Sequence, residues 1–331
     1  MEIVELGGVQ PNPRVKLVRQ GIGLCREKNI DFILAIGGGS VIDSAKAIAV
    51  GALASEDIWN YYDGTAESPF TEALPVGVVL TIPAAGSETS TSAVLTNDEG
   101  HYKRPIGSSL LIPRFAVMNP EFCYTLSPRQ IACGVCDIMA HMMERYFTNE
   151  PHVQLTDQLI EGGIRTVLHN GPEVLKNPCN YDSWAEIMWA GSLAHNNLLD
   201  TGRESDWASH DISHEVSGMY DVTHGAALSI LFPAWMKYVY KKNPGKLAQF
   251  AVNVFGAHMG LDREETVIQE MIEQLEGWYR AMGLPVRLSQ EGVGSDGFEE
   301  MAQKAMENRR YMGNYVKLSK EDIIEIFKLA Q

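Results

Sequence analysis

The spacing of apolar and polar positions changes character a little over a third of the way along the 331-residue chain. Before residue 126, short apolar runs alternate with stretches of helical period. The run IVEL (3–6) predicts a strand, and Val15–Lys28 an amphipathic helix after the Pro11-Asn12-Pro13 turn. DFILAI (31–36) is continuously apolar, the pattern of a parallel strand covered on both faces. Ser40–Leu53 predicts a helix, 55–75 a loop rich in Asp, Gly and Pro, and VGVVLTI (76–82) another buried strand. That order predicts a doubly wound, mostly parallel, Rossmann-like α/β domain over residues 1–126.

From residue 127 the strand signals nearly vanish. Ser127 and Pro128 suit the N-cap and first position of a helix running through QIACGVCDIMAHMMERYFT. Helical patterns continue over 153–169, 182–199, 205–218, 224–241, 263–282 and 320–330. Residues 127–331 therefore predict an all-helical domain, and the total length suits two domains of roughly 150 residues each.

Composition narrows the function. With 45% hydrophobic and 21% charged residues, the chain can bury a core without disulfides or a structural metal, so metal ligands point to catalysis. A net charge of −15 argues against nucleic acid and anionic membrane surfaces as partners. No apolar run approaches the roughly 18 residues of a membrane span, and MEIVELGG lacks the basic and apolar regions of a secretory signal. Five cysteines without framework spacing read as free thiols, and a cytoplasmic location is the expectation.

Two turns suggest a nucleotide site. Gly37-Gly38-Gly39-Ser40 follows a buried strand and opens a helix, where glycines allow close approach and the helix N-terminus favours an anion such as a pyrophosphate. It is not a GxGxxG fingerprint, and a ligand-free tight turn reads equally well from this segment alone. A second small-residue turn, Pro83–Glu88, follows the strand at 76–82, so both would border one crevice at the carboxyl ends of the strands.

A metal constellation lies beyond them. Asp137 and His141 are four apart on one helix face, His210 and His214 repeat that spacing, and His224 follows fourteen residues after His210. A carboxylate with two or three imidazoles suits Fe²⁺ or Zn²⁺ with a position left for water or substrate. A single histidine here would more often be a hydrogen-bonded core residue; the spaced set is harder to dismiss. Cys133-Gly134-Val135-Cys136 has no second CxxC to pair with and sits within a helix, so both cysteines read as packing residues. Trp184, Trp189 and the Met139, Met142, Met143 cluster read as core or pocket wall.

The segments GGGSVIDSAKAIA (37–49), NPEFCYTLSPRQIACGVCDIMAHMMERYFT (119–148) and HDISHEVSGMYDVTHGAALSILFPAW (210–235) resemble the iron-containing (group III) alcohol dehydrogenase family, in particular its butanol dehydrogenase-like, NAD(P)H-dependent aldehyde reductases. The resemblance spans essentially the whole chain. It implies a ligand set of Asp137, His141, His210 and His224, with His214 a non-ligand histidine beside the nicotinamide that takes part in proton transfer. It places Gly38, Gly39, Ser40 and Asp43 at the pyrophosphate loop, and Thr81, Ser87, Ser90, Lys103 and Thr125 near nicotinamide, ribose or phosphates of NAD or NADP. A homodimer is implied as well. The chain opens at what resembles the family's second strand, so the first strand–helix unit and its share of the adenine and 2′-phosphate pocket are expected to be missing.

The expected reaction is metal-assisted hydride transfer between NAD(P)H and an aldehyde in the cleft between the domains. A glycerol dehydrogenase-like or dehydroquinate synthase-like relative would keep the fold and metal but take a polyol or sugar phosphate. Met142, Met143, Trp184 and Trp189 lean instead toward a small apolar aldehyde. A truncated, inactive metal-binding homologue is a third reading, and a metallohydrolase would leave the two glycine-bearing turns unexplained.

Overall fold

The computed structural model describes residues 2–259 and 263–331. Its first part carries helix α1 (Val15–Lys28), strand β1 (Ile33–Gly37), α2 (Gly39–Leu53), α3 (Ile58–Asp63) and strands β2 (Val76–Leu80), β3 (Ser92–Asn97), β4 (Tyr102–Gly107) and β5 (Phe115–Met118). Three of these strands form a parallel sheet in the order β1-β2-β5, and β3 and β4 pair as an antiparallel hairpin beside it. Helices follow: α4 (Pro128–Tyr146), α5 (Gln154–Lys176), α6 (Tyr181–Ala194), α7 (Ala208–Tyr220), α8 (His224–Val239), α9 (Gly245–Phe255), α10 (Glu264–Ala281), α11 (Phe298–Ala305) and α12 (Lys320–Ala330). The expected order, a parallel α/β part followed by a helical part, is the one observed. No described helix is long and apolar enough to cross a membrane.

Several local expectations need correction. IVEL (3–6) is irregular rather than a strand; a strand needs a hydrogen-bonded neighbour, and no ladder reaches these residues, where Ile3 is 75% exposed. The loop expected over 55–75 contains α3, whose N-cap Asp57 accepts from the backbone N–H of Trp59. The hairpin β3–β4 escaped the pattern because its apolar positions are few and interrupted by Thr, Asn, Lys and Pro, and β5 because its apolar run is only four residues long. In β1, Ala35 is buried, while Leu34 and Ile36 on the other face are 48% and 61% exposed; only one of the two faces expected to be covered is covered by described residues.

Helix α4 runs through the middle of the helical part. Ser127 and Gln130 form a capping box at its start, and every residue from Ile131 to Tyr146 is buried. A helix apolar on most sides belongs in a core, and its few polar residues therefore have to be satisfied or used. Met142, Met143 and Trp184 lie in that core, whereas Trp189 is 60% exposed.

Candidate active site

Gly37 and Leu80 are neighbours in register, so the turns after β1 and β2 leave the sheet at the same edge. A Cβ on Gly38 would lie 2.0 Å from Cγ2 of Ile82, and one on Gly39 3.1 Å from Cβ of Ala85, so glycine is what lets the two turns close on each other. Gly38 is the N-cap of α2 and offers it no side-chain acceptor, which leaves the first amide N–H groups of the helix open to an anion.

Inside the first turns of α2, Asp43 accepts from the Ser87 hydroxyl at 2.5 Å and from the backbone N–H of Val94 at 3.0 Å. It ties the helix to the second turn and to β3. Burial raises its carboxyl above the ordinary range against the pull of Lys46. Lys46, one turn further, is fully buried and donates to Ser90 O (3.0 Å), Ser90 Oγ (3.2 Å) and Ser92 O (2.8 Å). Lys103 on β4 donates to Oδ1 of Asn12 at 3.0 Å. Burial brings both ammonium groups down to about 8.

One cavity of about 790 Å³ lies between the sheet edge and the helices. Gly38, Gly39, Ser40, Asp43, Ser87, Ser90 and Lys103 contribute to its wall from the α/β side, and Asp137, His141, His210, His214 and His224 from the helical side. Thr81 and Thr125 do not line it: the Thr81 amide is spent on Gly37 O at 3.1 Å, and Thr125 sits in an exposed turn before α4. Met142, Met143, Trp184 and Trp189 do not line it either, which removes the sequence argument for an apolar substrate.

On the helical side, α4 presents Asp137 and His141, α7 presents His210, and His224 opens α8. Around Oδ1 of Asp137 lie Nδ1 of His141 at 3.6 Å, Nε2 of His224 at 3.7 Å and Nε2 of His210 at 3.8 Å. Tetrahedral coordination with bonds of about 2.0–2.1 Å sets ligand atoms roughly 3.4 Å apart, so this spacing fits one small divalent cation. Asp137 Oδ1, His141 Nδ1 and His210 Nε2 are buried without hydrogen-bond partners, as atoms meant for a cation would be.

The second ring nitrogens are held. Nδ1 of His210 lies 2.7 Å from Oε1 of Glu144, and Nδ1 of His224 lies 3.2 Å from the Ser213 hydroxyl; each bond turns Nε2 toward Asp137. Burial drives His141, His214 and His224 well below the ordinary imidazole range, which favours the neutral, ligand-competent form. Burial opposes protonation of His210 too, but the nearby Asp137 carboxylate and the bond with Glu144 outweigh that and push it up to about 9. Asp137 is lowered: burial works against ionisation, and His141 and His210 overcome it. His214 stacks on His224 with ring centres 5.3 Å apart and is a neighbour of Lys103 in the cavity wall.

Sequence reasoning passed over Glu144, Lys46, His195 and Trp207. Glu144 lies three residues after His141, a helical spacing that was there to be read. Trp207, at a left-handed φ of 66° just before α7, brings its ring within 5.3 Å of His210 and under the guanidinium of Arg145 at 4.7 Å; no spacing announces it. Cys133 and Cys136 are buried, and burial raises both thiols, as inert packing residues require.

Residues 1–120 match the family described as iron-containing alcohol dehydrogenase, and residues 131–331 its C-terminal part. The chain is 38% identical over 326 residues to "Probable NADH-dependent butanol dehydrogenase 1" of Bacillus subtilis, covering 98% of this chain and 84% of that one. It is 36% identical to "NADPH-dependent aldehyde reductase YqhD" of Escherichia coli over 93% of this chain and 79% of that one. Among solved structures, NADH-dependent butanol dehydrogenase A from Thermotoga maritima superposes with a TM-score of 0.94 at 35% identity, covering 99% of this chain and 83% of that one.

Proposed function

The chain belongs to the iron-containing alcohol dehydrogenase family, and on that premise we propose that it is an NAD(P)H-dependent aldehyde reductase or alcohol dehydrogenase acting in the cavity between its α/β part, residues 1–126, and its helical part, residues 127–331. The observation that carries this reading is the meeting, in one cavity, of a glycine-lined helix N-terminus with a carboxylate and imidazoles whose buried atoms lack partners.

Asp137, His141, His210 and His224 would hold one divalent cation, Fe²⁺ or Zn²⁺, and the turn at Gly38, Gly39 and Ser40 would hold the pyrophosphate of NAD or NADP. When bound, the cation supplies Lewis acidity at the carbonyl oxygen and the nicotinamide supplies hydride. The remaining work belongs to the chain's own residues. Asp43 and Lys46 fix the backbone and hydroxyls of Ser87 and Ser90, so the second turn presents a set surface to the cofactor. Lys103 brings a buried positive charge to the same wall. His214, held neutral by burial, would give its ring proton to the substrate oxygen and take up a proton from solvent at its other nitrogen.

NADH and NADPH oxidation with butanal, after loading with Fe²⁺ or Zn²⁺ and against a chelated control, tests the reading. Cation-dependent turnover supports it and identifies coenzyme and metal. A loaded protein that binds neither coenzyme overturns it. The expected assembly is a homodimer, which sedimentation velocity measures directly.

A further inference from the structure

Behind the cavity wall, an ion pair joins the α/β part to the helical part. Lys103 and Arg104 are consecutive on β4, and His214 and Glu215 are consecutive on α7. Lys103 and His214 line the cavity, while Arg104 and Glu215 do not. Nη1 of Arg104 donates to Oε1 of Glu215 at 2.7 Å and to the carbonyl of Lys103 at 3.0 Å. That carbonyl points away from β3, because Lys103 stands opposite Thr96, whose amide donates to Pro13 O at 2.7 Å and not across the hairpin. The guanidinium also lies 4.8 Å from the centre of the Tyr102 ring and 3.7 Å from Oε2 of Glu307.

Apolar packing does not set the offset of these two elements. A Cβ on Gly218 of α7 would lie 2.6 Å from His101 O and 3.4 Å from the Lys103 amide nitrogen, so helix and strand approach at a position with no side chain to key them together. Such a contact fixes how close they lie and leaves sliding open. The planar, directional bond of Arg104 fixes where along the helix β4 stands. Stability is not what the pair supplies best, since a buried ion pair gains little over apolar side chains of the same size. Oε2 of Glu215 is buried without a partner among the described residues, and burial pushes that carboxyl up to about 7 against the pull of Arg104.

We propose that Arg104 and Glu215 are positioning residues that hold the backbone of Lys103 against α7, and with it the place of the Lys103 ammonium in the cavity wall. The inference rests on reading this cavity as a coenzyme-dependent reductase site. The buried ammonium reaches Oδ1 of Asn12 at 3.0 Å, so a shift of the backbone beneath it moves it off that acceptor. His210, on the same helix as Glu215, is held separately by its two bonds to Glu144, so the imidazole cluster does not follow the shift.

The test is a double-mutant cycle read as NADH and NADPH affinity, from coenzyme fluorescence with the metal-loaded protein. Glu215→Ala should weaken binding about tenfold, but less than about twofold in the Lys103→Met background, because a positioning residue has no effect once the group it positions is gone. Glu215→Gln, which still accepts from Arg104, should keep most of the affinity, and elemental analysis should find the metal content unchanged in each variant. Equal losses in both backgrounds, no loss in Glu215→Ala, Glu215→Gln as weak as Glu215→Ala, or loss of metal overturns the proposal. If Glu215→Ala does not fold, Arg104→Met takes its place in the cycle, since the buried carboxyl it leaves can take up a proton. Coenzyme binding without reduction of butanal removes the reductase reading, and the cycle still decides what the pair positions. A wild type that binds neither coenzyme removes both.

Discussion

His210 and Glu144 are joined twice: Oε1 of Glu144 lies 2.7 Å from the ring Nδ1 of His210 and accepts from its backbone N–H at 2.9 Å. Both side chains are buried, and Glu144 sits two turns beyond Asp137 on the same helix. One carboxylate therefore sets both where α7 begins and which way the imidazole faces. With Nδ1 occupied, Nε2 is the nitrogen left for the cation, 3.8 Å from Asp137 Oδ1.

Replacing Glu144 by Gln keeps the shape but weakens the acceptor. Affinity for Zn²⁺ or Fe²⁺ should fall by about 10–100-fold, measured by competition with a chromophoric chelator. Unchanged affinity would show that Glu144 orients nothing.

The two histidines of α7 should separate cleanly. His210→Ala is expected to lose the metal and turnover together, as elemental analysis and NAD(P)H oxidation would show. His214→Ala should keep the metal and lose about 10²–10⁴-fold in rate, the range of a proton-transfer group. Metal loss in the second variant would mean that His214 belongs to the ligand set.

Gly38→Ala puts a methyl 2.0 Å from Ile82 Cγ2 at the junction of the two turns. The turns must part, which should cost about 1–3 kcal/mol in denaturant unfolding. NADH affinity, read from coenzyme fluorescence, should fall with it. Unaltered binding and stability would show that the turn has slack and does not grip a phosphate.

At the far end of the chain, Asp322 near the start of α12 accepts from Lys242 Nζ at 2.8 Å, from the Ser319 amide at 2.7 Å and from the Tyr238 hydroxyl. Partial burial would raise this carboxyl, but those donors outweigh it and lower it from 3.8 to about 2. A carboxylate lowered by folding stabilises the folded state above its ordinary value and loses that contribution as pH falls toward the folded one. Asp322→Asn should cost roughly 1–2 kcal/mol at neutral pH after allowance for solvent screening, shrinking between about pH 4 and pH 2. A penalty that stays constant across that window would contradict the ionic account.

The sequence by itself determined what is local. Helical period marked α1, α2, α4 and α12 to within a residue or two, and the i, i+4 spacing placed Asp137 with His141 and His210 with His214. The glycines after β1 were legible because only a residue without a side chain suits so close a turn. The match of whole segments to a known family carried the activity further than any spacing could.

What only the tertiary structure decided is which faces meet. No period tells whether the helix bearing Asp137 packs against the one that begins at His224, since that depends on how ridges of side chains interlock across the core. Packing sent Met142, Met143 and Trp184 into the core and Trp189 to the surface, while it brought His195 and Trp207 to the imidazoles. It left IVEL irregular because a strand exists only with a neighbour to bond. Backbone preference acts over a few residues and can be read along the chain. The contacts of His195 with His141 and with Ser92 span 54 and 103 residues, and only the folded packing brings them about.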